Sequence, residues 1–85
     1  MKPPELRGLY AITPEEADEA RLIALAGAAV RGGAALLQLR DKTNDAARRR
    51  RLATALQALC REHAARFIVN DDLELALAVN ADGVH

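Results

Sequence analysis

The sequence predicts an α/β fold in which parallel strands alternate with helices in the order β-α-β-α-β-α-β. Two observations carry this expectation. Short apolar runs ending at turn residues (LYAIT, AALLQLR, RFIVN and ADGVH) alternate with longer stretches of helical periodicity. The first two βα units have similar lengths, and no hairpin signal interrupts them. Strands separated by helices pair in parallel, because a parallel pair needs a crossover connection.

The first strand is LYAIT, residues 9–13, an apolar run that stops at a turn. Thr13-Pro14-Glu15-Glu16 then reads as a helix start. Thr13 can cap, Pro14 suits the first helical position, and Glu16 completes a capping box. Leu22, Leu25, Ala26, Ala29 and Val30 repeat at helical spacing and form one face. Gly32-Gly33 ends this helix, since glycine accepts a left-handed backbone. The second strand is AALLQLR. Asn44 or Asp45 can cap the second helix, whose apolar stripe is Leu52, Leu56, Leu59 and Cys60. RFIVN is a third strand, and its Phe-Ile-Val run suits burial on both faces. DLELALAV is a short third helix, and ADGVH starts a fourth strand.

Two architectures fit this order, an open doubly wound sheet and a (βα)8 barrel. No glycine-rich phosphate fingerprint follows the first strand, which lowers the weight of the nucleotide-binding open sheet. A complete barrel takes about 250 residues, so residues 1–85 would form the N-terminal portion of a single barrel domain, less than half of it. Such a portion has exposed strand edges and is expected to be inactive alone and prone to self-association.

Composition excludes several classes. Zero formal net charge argues against a general nucleic-acid binder. The run Arg48-Arg49-Arg50-Arg51 would spread around a helix and reads as a solvated face. A single cysteine, Cys60, rules out an internal disulfide and reads as a small buried residue. MKPPELRG has no apolar signal-peptide core, and the nine-residue run LIALAGAAV is too short to span a bilayer. The expected compartment is the cytoplasm, with no membrane or nucleic-acid partner.

Three strands finish in polar groups, at the strand ends where parallel α/β folds build their ligand sites. Gln38, Arg40 and Lys42 alternate along LLQLRDK. As strand residues they would share a face, spaced about 6–7 Å apart. The third strand gives Asn70, Asp71 and Asp72, and the fourth gives His85. Cations beside a carboxylate suit a phosphorylated ligand with a metal. The arginine fork takes two phosphate oxygens, lysine is a point charge, and Mg2+ joins carboxylate to phosphate. Local readings compete. Arg40-Asp41-Lys42 also fits an exposed loop with its own ion pair, worth about 0–1 kcal/mol. Asp71 with Glu74 approximates a capping box; if Asp72 caps instead, Asp71 is left free. Asn70 also suits a turn, His85 a structural role, and His63 the C-terminal end of the second helix.

Taken together, LYAIT at 9–13, LLQLRDK at 36–42, FIVNDDLELAL at 67–77 and ADGVH at 81–85 resemble the thiamine phosphate synthase family in order and spacing. The resemblance covers essentially the whole chain. It implies a (βα)8 (TIM) barrel and a transferase that joins hydroxymethylpyrimidine diphosphate to thiazole phosphate, releasing diphosphate. It also implies that Gln38, Arg40, Lys42 and Asn70 contact the pyrimidine diphosphate and that Asp71 is a Mg2+ ligand. The family's second Mg2+ carboxylate and its thiazole phosphate loops fall beyond His85, and Asn80 stands where the family usually has glycine. The alternatives are a thiazole tautomerase of the same barrel family, which handles no diphosphate, and a non-catalytic α/β module.

Overall fold

The computed structural model describes residues 10–85; the N-terminal MKPPELRG segment and Leu9 of the first strand lie outside the described residues. The elements are β1 (Tyr10–Ile12), α1 (Glu19–Arg31), β2 (Leu36–Leu39), α2 (Ala46–Glu62), β3 (Arg66–Val69), α3 (Leu73–Ala78) and β4 (Gly83–Val84). This is the alternation read from the sequence. All three strand pairs are parallel, with Tyr10 opposite Leu36, Leu37 opposite Phe67, and Val69 opposite Val84.

Strand order in the sheet follows chain order, β1-β2-β3-β4. That separates the two candidate architectures. A doubly wound sheet reverses direction at a switch point, so its spatial order departs from its chain order. Successive crossovers of one hand onto the next neighbour keep every helix on one face, as in the early part of a (βα)8 barrel.

The core lies between that face and the helices. Leu37, Leu39, Phe67 and Val69 point to it and are fully buried with Leu52, Leu56 and Cys60 of α2 and with Leu22, Ala26 and Val30 of α1. Full burial of each large side chain is worth about 1.5–3 kcal/mol, so this layer fixes the register. The opposite face is open: Tyr10 is 55% and Ile12 47% exposed.

Two local expectations are corrected. The cap of α1 is Asp18, whose carboxylate accepts from the Arg21 N–H at 3.2 Å. Thr13 does not cap. It is buried and joins β1 to the end of β2, its hydroxyl accepting from the Arg40 N–H at 3.0 Å. The arginine run is not a uniformly solvated face either. Arg48 is buried, Arg49 lies 3.8 Å from Asp72, and Arg51 grips Glu19 with two hydrogen bonds of 3.0 and 2.7 Å. Helical spacing explains Arg48: it stands at i, i+4 steps from Leu52, Leu56 and Cys60, on the inward stripe.

Candidate functional site

Backbone hydrogen bonding continues one level past the assigned strands. The Thr13 N–H donates to the Gln38 carbonyl, Asn70 to Leu39, and His85 to Val69, each at 2.9 Å. The polar residues expected at the strand ends therefore stand side by side. Gln38 and Asn70 belong to the face away from the helices, because Leu37, Leu39, Phe67 and Val69 take the other. The Asn70 side-chain N–H2 donates to Gln38 Oε1 at 3.0 Å and lies 3.3 Å from His85 Nδ1. One line of side chains thus crosses β2, β3 and the end of β4, and it holds the Asn70 amide from both sides.

Above this line, a hollow of about 440 Å³ is bordered by Arg40, Asp41, Lys42, Asn70 and Asp71, with Asp72 and Arg49 beside them. Gln38 is buried one layer down and reaches the hollow through Asn70. Strand alternation does not place Lys42, because β2 ends at Leu39. Arg40 and Lys42 instead belong to the β2–α2 loop. A second hollow of about 530 Å³ lies against the other side of this loop, toward the β1–α1 loop.

Asp71 and Asp72 divide two tasks. Asp72 caps α3, its carboxylate accepting from the Leu75 N–H at 2.9 Å. Asp71 is thereby released from capping and is exposed. Its backbone is left-handed (φ 61°), and its N–H donates to the His85 carbonyl at 2.9 Å. The other non-glycine residues with positive φ among those described, Ala64 and Asn80, each follow a helix C-cap. Asp71 alone has this geometry beside the hollow, and strained backbone of this kind costs of order 1–3 kcal/mol and gathers at functional sites. His63 is the exposed C-cap residue of α2 and takes no part.

Sequence reading missed Arg48 and the latch role of Thr13. The Arg48 guanidinium donates to the Ala17 carbonyl at 2.7 Å and to the Glu16 carbonyl. Its Nε lies 3.6 Å from Asp41 Oδ2, beyond hydrogen-bond reach and otherwise unpartnered. The usable signal was helical spacing, which puts position 48 on the apolar stripe whatever the charge of its neighbours.

The described residues contain no helix long and apolar enough to cross a membrane. The sequence model of one protein family, described as thiamine monophosphate synthase, matches residues 9–85. Among curated proteins, the chain is 63% identical over 83 residues to a thiamine-phosphate synthase of Chromobacterium violaceum, covering 98% of the chain and 40% of the relative. It is 55% identical over 85 residues to one from Aromatoleum aromaticum, covering 100% and 41%. Among solved structures, a thiamine phosphate pyrophosphorylase from Pyrococcus furiosus superposes with a TM-score of 0.78 at 36% identity, covering 93% of this chain and 40% of that one. The chain spans about two-fifths of the length of these relatives. With singly wound parallel strands, matched motifs and relatives in agreement, the chain belongs to the thiamine monophosphate synthase family.

Proposed function

We propose that the complete polypeptide carrying this chain is a thiamine phosphate synthase, a transferase that joins hydroxymethylpyrimidine diphosphate to a thiazole phosphate and releases diphosphate. One observation carries the reading: Arg40, Lys42, Asn70 and Asp71 border a single hollow at the C-terminal ends of parallel strands. Arg40 binds two diphosphate oxygens through its planar fork, and Lys42 adds a mobile point charge. Asn70, its amide held by Gln38, contacts the same substrate. Ionisation of the pyrimidine diphosphate leaves negative charge on diphosphate and positive charge on the pyrimidine methylene. The two cations stabilise the departing anion, and the thiazole nitrogen attacks the methylene. No protein nucleophile is needed. The proposed compartment is the cytoplasm, where a reduced, buried thiol such as Cys60 is ordinary.

The donor set suits Mg2+. Asp71 offers an exposed carboxylate, and the described residues hold no group of three or more His, Cys, Asp or Glu able to cage a metal. Mg2+ is usually held by one or two carboxylates plus substrate phosphates, so Asp71 fits as the carboxylate left over when Asp72 caps α3 and Asp41 is held by Thr43. When bound, the ion would neutralise charge on the leaving group. The test is Asp71→Asn in the complete polypeptide. Asparagine tolerates the left-handed backbone and Asp72 remains the cap, so the melting temperature should hold. Thiazole-dependent release of diphosphate should fall at least about tenfold, the equivalent of about 1.4 kcal/mol in the transition state. Wild-type turnover with unchanged Mg2+ dependence would remove Asp71 from the site.

A further inference from the structure

We propose that Arg48 is the positioning residue of this site, the group that sets where Arg40 and Lys42 stand. The inference rests on the reading of that pair as the diphosphate grip, and it adds a residue that touches no substrate. Arg48 is 9% exposed, in the first turn of α2, with its backbone N–H tied to the Asp45 cap at 2.9 Å. Its guanidinium faces two loops at once. On one side it holds the Glu16 and Ala17 carbonyls of the β1–α1 loop. On the other its Nε faces the Asp41 carboxylate at 3.6 Å.

Asp41 is the residue between Arg40 and Lys42, and its side chain is turned inward, 7% exposed. It accepts from the Thr43 N–H at 3.1 Å and from the Thr43 hydroxyl at 3.0 Å, which folds the loop over it. Asp41 still borders the hollow, but with its side chain turned inward the exposed groups there are its neighbours on both sides, Arg40 and Lys42. The Thr13 hydroxyl fixes the start of the same loop through the Arg40 N–H. A buried cation costs free energy unless it is paired, so Arg48 favours the one loop arrangement that keeps Asp41 beside it. Short polar loops have no core of their own to hold them, and a lock from the helix beneath supplies what packing does not.

The experiment measures affinity for inorganic diphosphate with Mg2+, and kcat and KM for the pyrimidine diphosphate, in the complete polypeptide. The variants are Arg48→Lys, Arg48→Gln and Asp41→Asn, with Arg40→Ala/Lys42→Ala as the reference pair. Misplacement on the scale of 1 Å can cost up to about a hundredfold, so affinity should weaken by roughly ten- to a hundredfold in the Arg48 variants. The decisive readout is coupling: in the Arg40→Ala/Lys42→Ala background the same Arg48 substitution should have little further effect on affinity. A merely structural role would lower the melting temperature and leave diphosphate affinity unchanged well below the melt, which would overturn the proposal, as would full additivity. If the Arg48 variants fail to fold, Asp41→Asn decides alone: weakened affinity supports the lock and unchanged affinity removes it. If the Arg40→Ala/Lys42→Ala pair itself binds diphosphate normally, the grip reading fails, and that outcome is distinguishable from failure of the lock.

Discussion

Cys60 closes the inward stripe of α2, fully buried against Phe67 and Leu56 in the core. Burial pushes its thiol up to about 11, with the Asp82 carboxylate adding a smaller push in the same direction. A thiol in the unfolded chain ionises near 8.5, so the folded state resists a proton loss that the unfolded state accepts. The stability tied to this thiol is complete below about pH 8.5 and is lost as pH rises toward 11. Cys60→Ala removes the titration. Urea unfolding at pH 7.5, 9 and 10.5 should show the wild-type advantage over the variant shrinking as pH rises. A gap constant with pH would mean that the thiolate reaches water in the native state. The residue scale also shows what was legible at the site. That Arg40, Lys42, Asn70 and Asp71 gather near strand ends was readable, because strand ends collect polar groups; that β2 stops at Leu39 and leaves Arg40 and Lys42 on the loop was not. Which of Asp71 and Asp72 caps α3 was not readable, since both suit an N-cap; the turn geometry at Asp71 settles it. Arg48 was obscured by three arginines that follow it.

At the scale of the element, all three helices end the same way. After α1 the Gly33 N–H reaches the Val30 carbonyl and the Ala34 N–H the Ala29 carbonyl, both at 3.1 Å. Ala64 and Ala65 repeat the pattern on Arg61 and Cys60 at 3.4 and 2.8 Å, and Asn80 and Ala81 on Leu77 and Ala76 at 3.3 and 2.9 Å. This is the Schellman arrangement, and it needs a left-handed residue just past the cap. The three occupants differ in what that costs. Gly33 (φ 112°) adopts it freely, Asn80 (φ 56°) tolerates it, and Ala64 (φ 57°) has a Cβ crowded against its own carbonyl. Asparagine at position 80 is thus an allowed residue at a left-handed site. Ala64→Gly should raise stability by roughly 0.5–1 kcal/mol, the relief of strain exceeding the added freedom of the unfolded chain. Asn80→Gly should gain less. Equilibrium urea unfolding of both variants checks the ranking, and equal or reversed effects would contradict the strain argument. Glycine at 32–33 was legible because it announces itself. The end of α2 carries no such residue, so only the loss of periodicity marked it. The start of α1 was placed too early for a related reason: Thr-Pro-Glu-Glu satisfies the capping pattern, but the Thr13 hydroxyl is occupied by the Arg40 backbone.

On the scale of the whole molecule, the alternation of strands and helices was legible because parallel strands buried under helices leave a periodicity change at each boundary. Spatial strand order was not legible, since sequence pattern is the same for singly and doubly wound sheets; pairing geometry decides it. The same geometry leaves apolar surface on two sides. Tyr10 and Ile12 lie open on the face away from the helices, and Leu73, Leu77 and Val84 are 60%, 73% and 43% exposed near the far edge of the sheet. Among the described residues β1 and β4 each pair on one side only. Unpaired parallel edges beside exposed aliphatic side chains template association, and native proteins normally cover them. A polypeptide limited to residues 1–85 should therefore self-associate at micromolar concentration. Sedimentation velocity should show species above the 9.2 kDa monomer that grow with concentration. Replacing the open-face pair, Tyr10→Ser with Ile12→Thr, should shift the distribution toward monomer without lowering helix content, because neither side chain belongs to the buried cluster. Replacing Leu73 and Leu77 with serine tests the other side separately. A monodisperse monomer with a cooperative melt would show instead that the helix-covered layer alone, with Phe67, Leu37, Leu39, Leu52 and Leu56 at its centre, is enough to hold four strands apart from their neighbours.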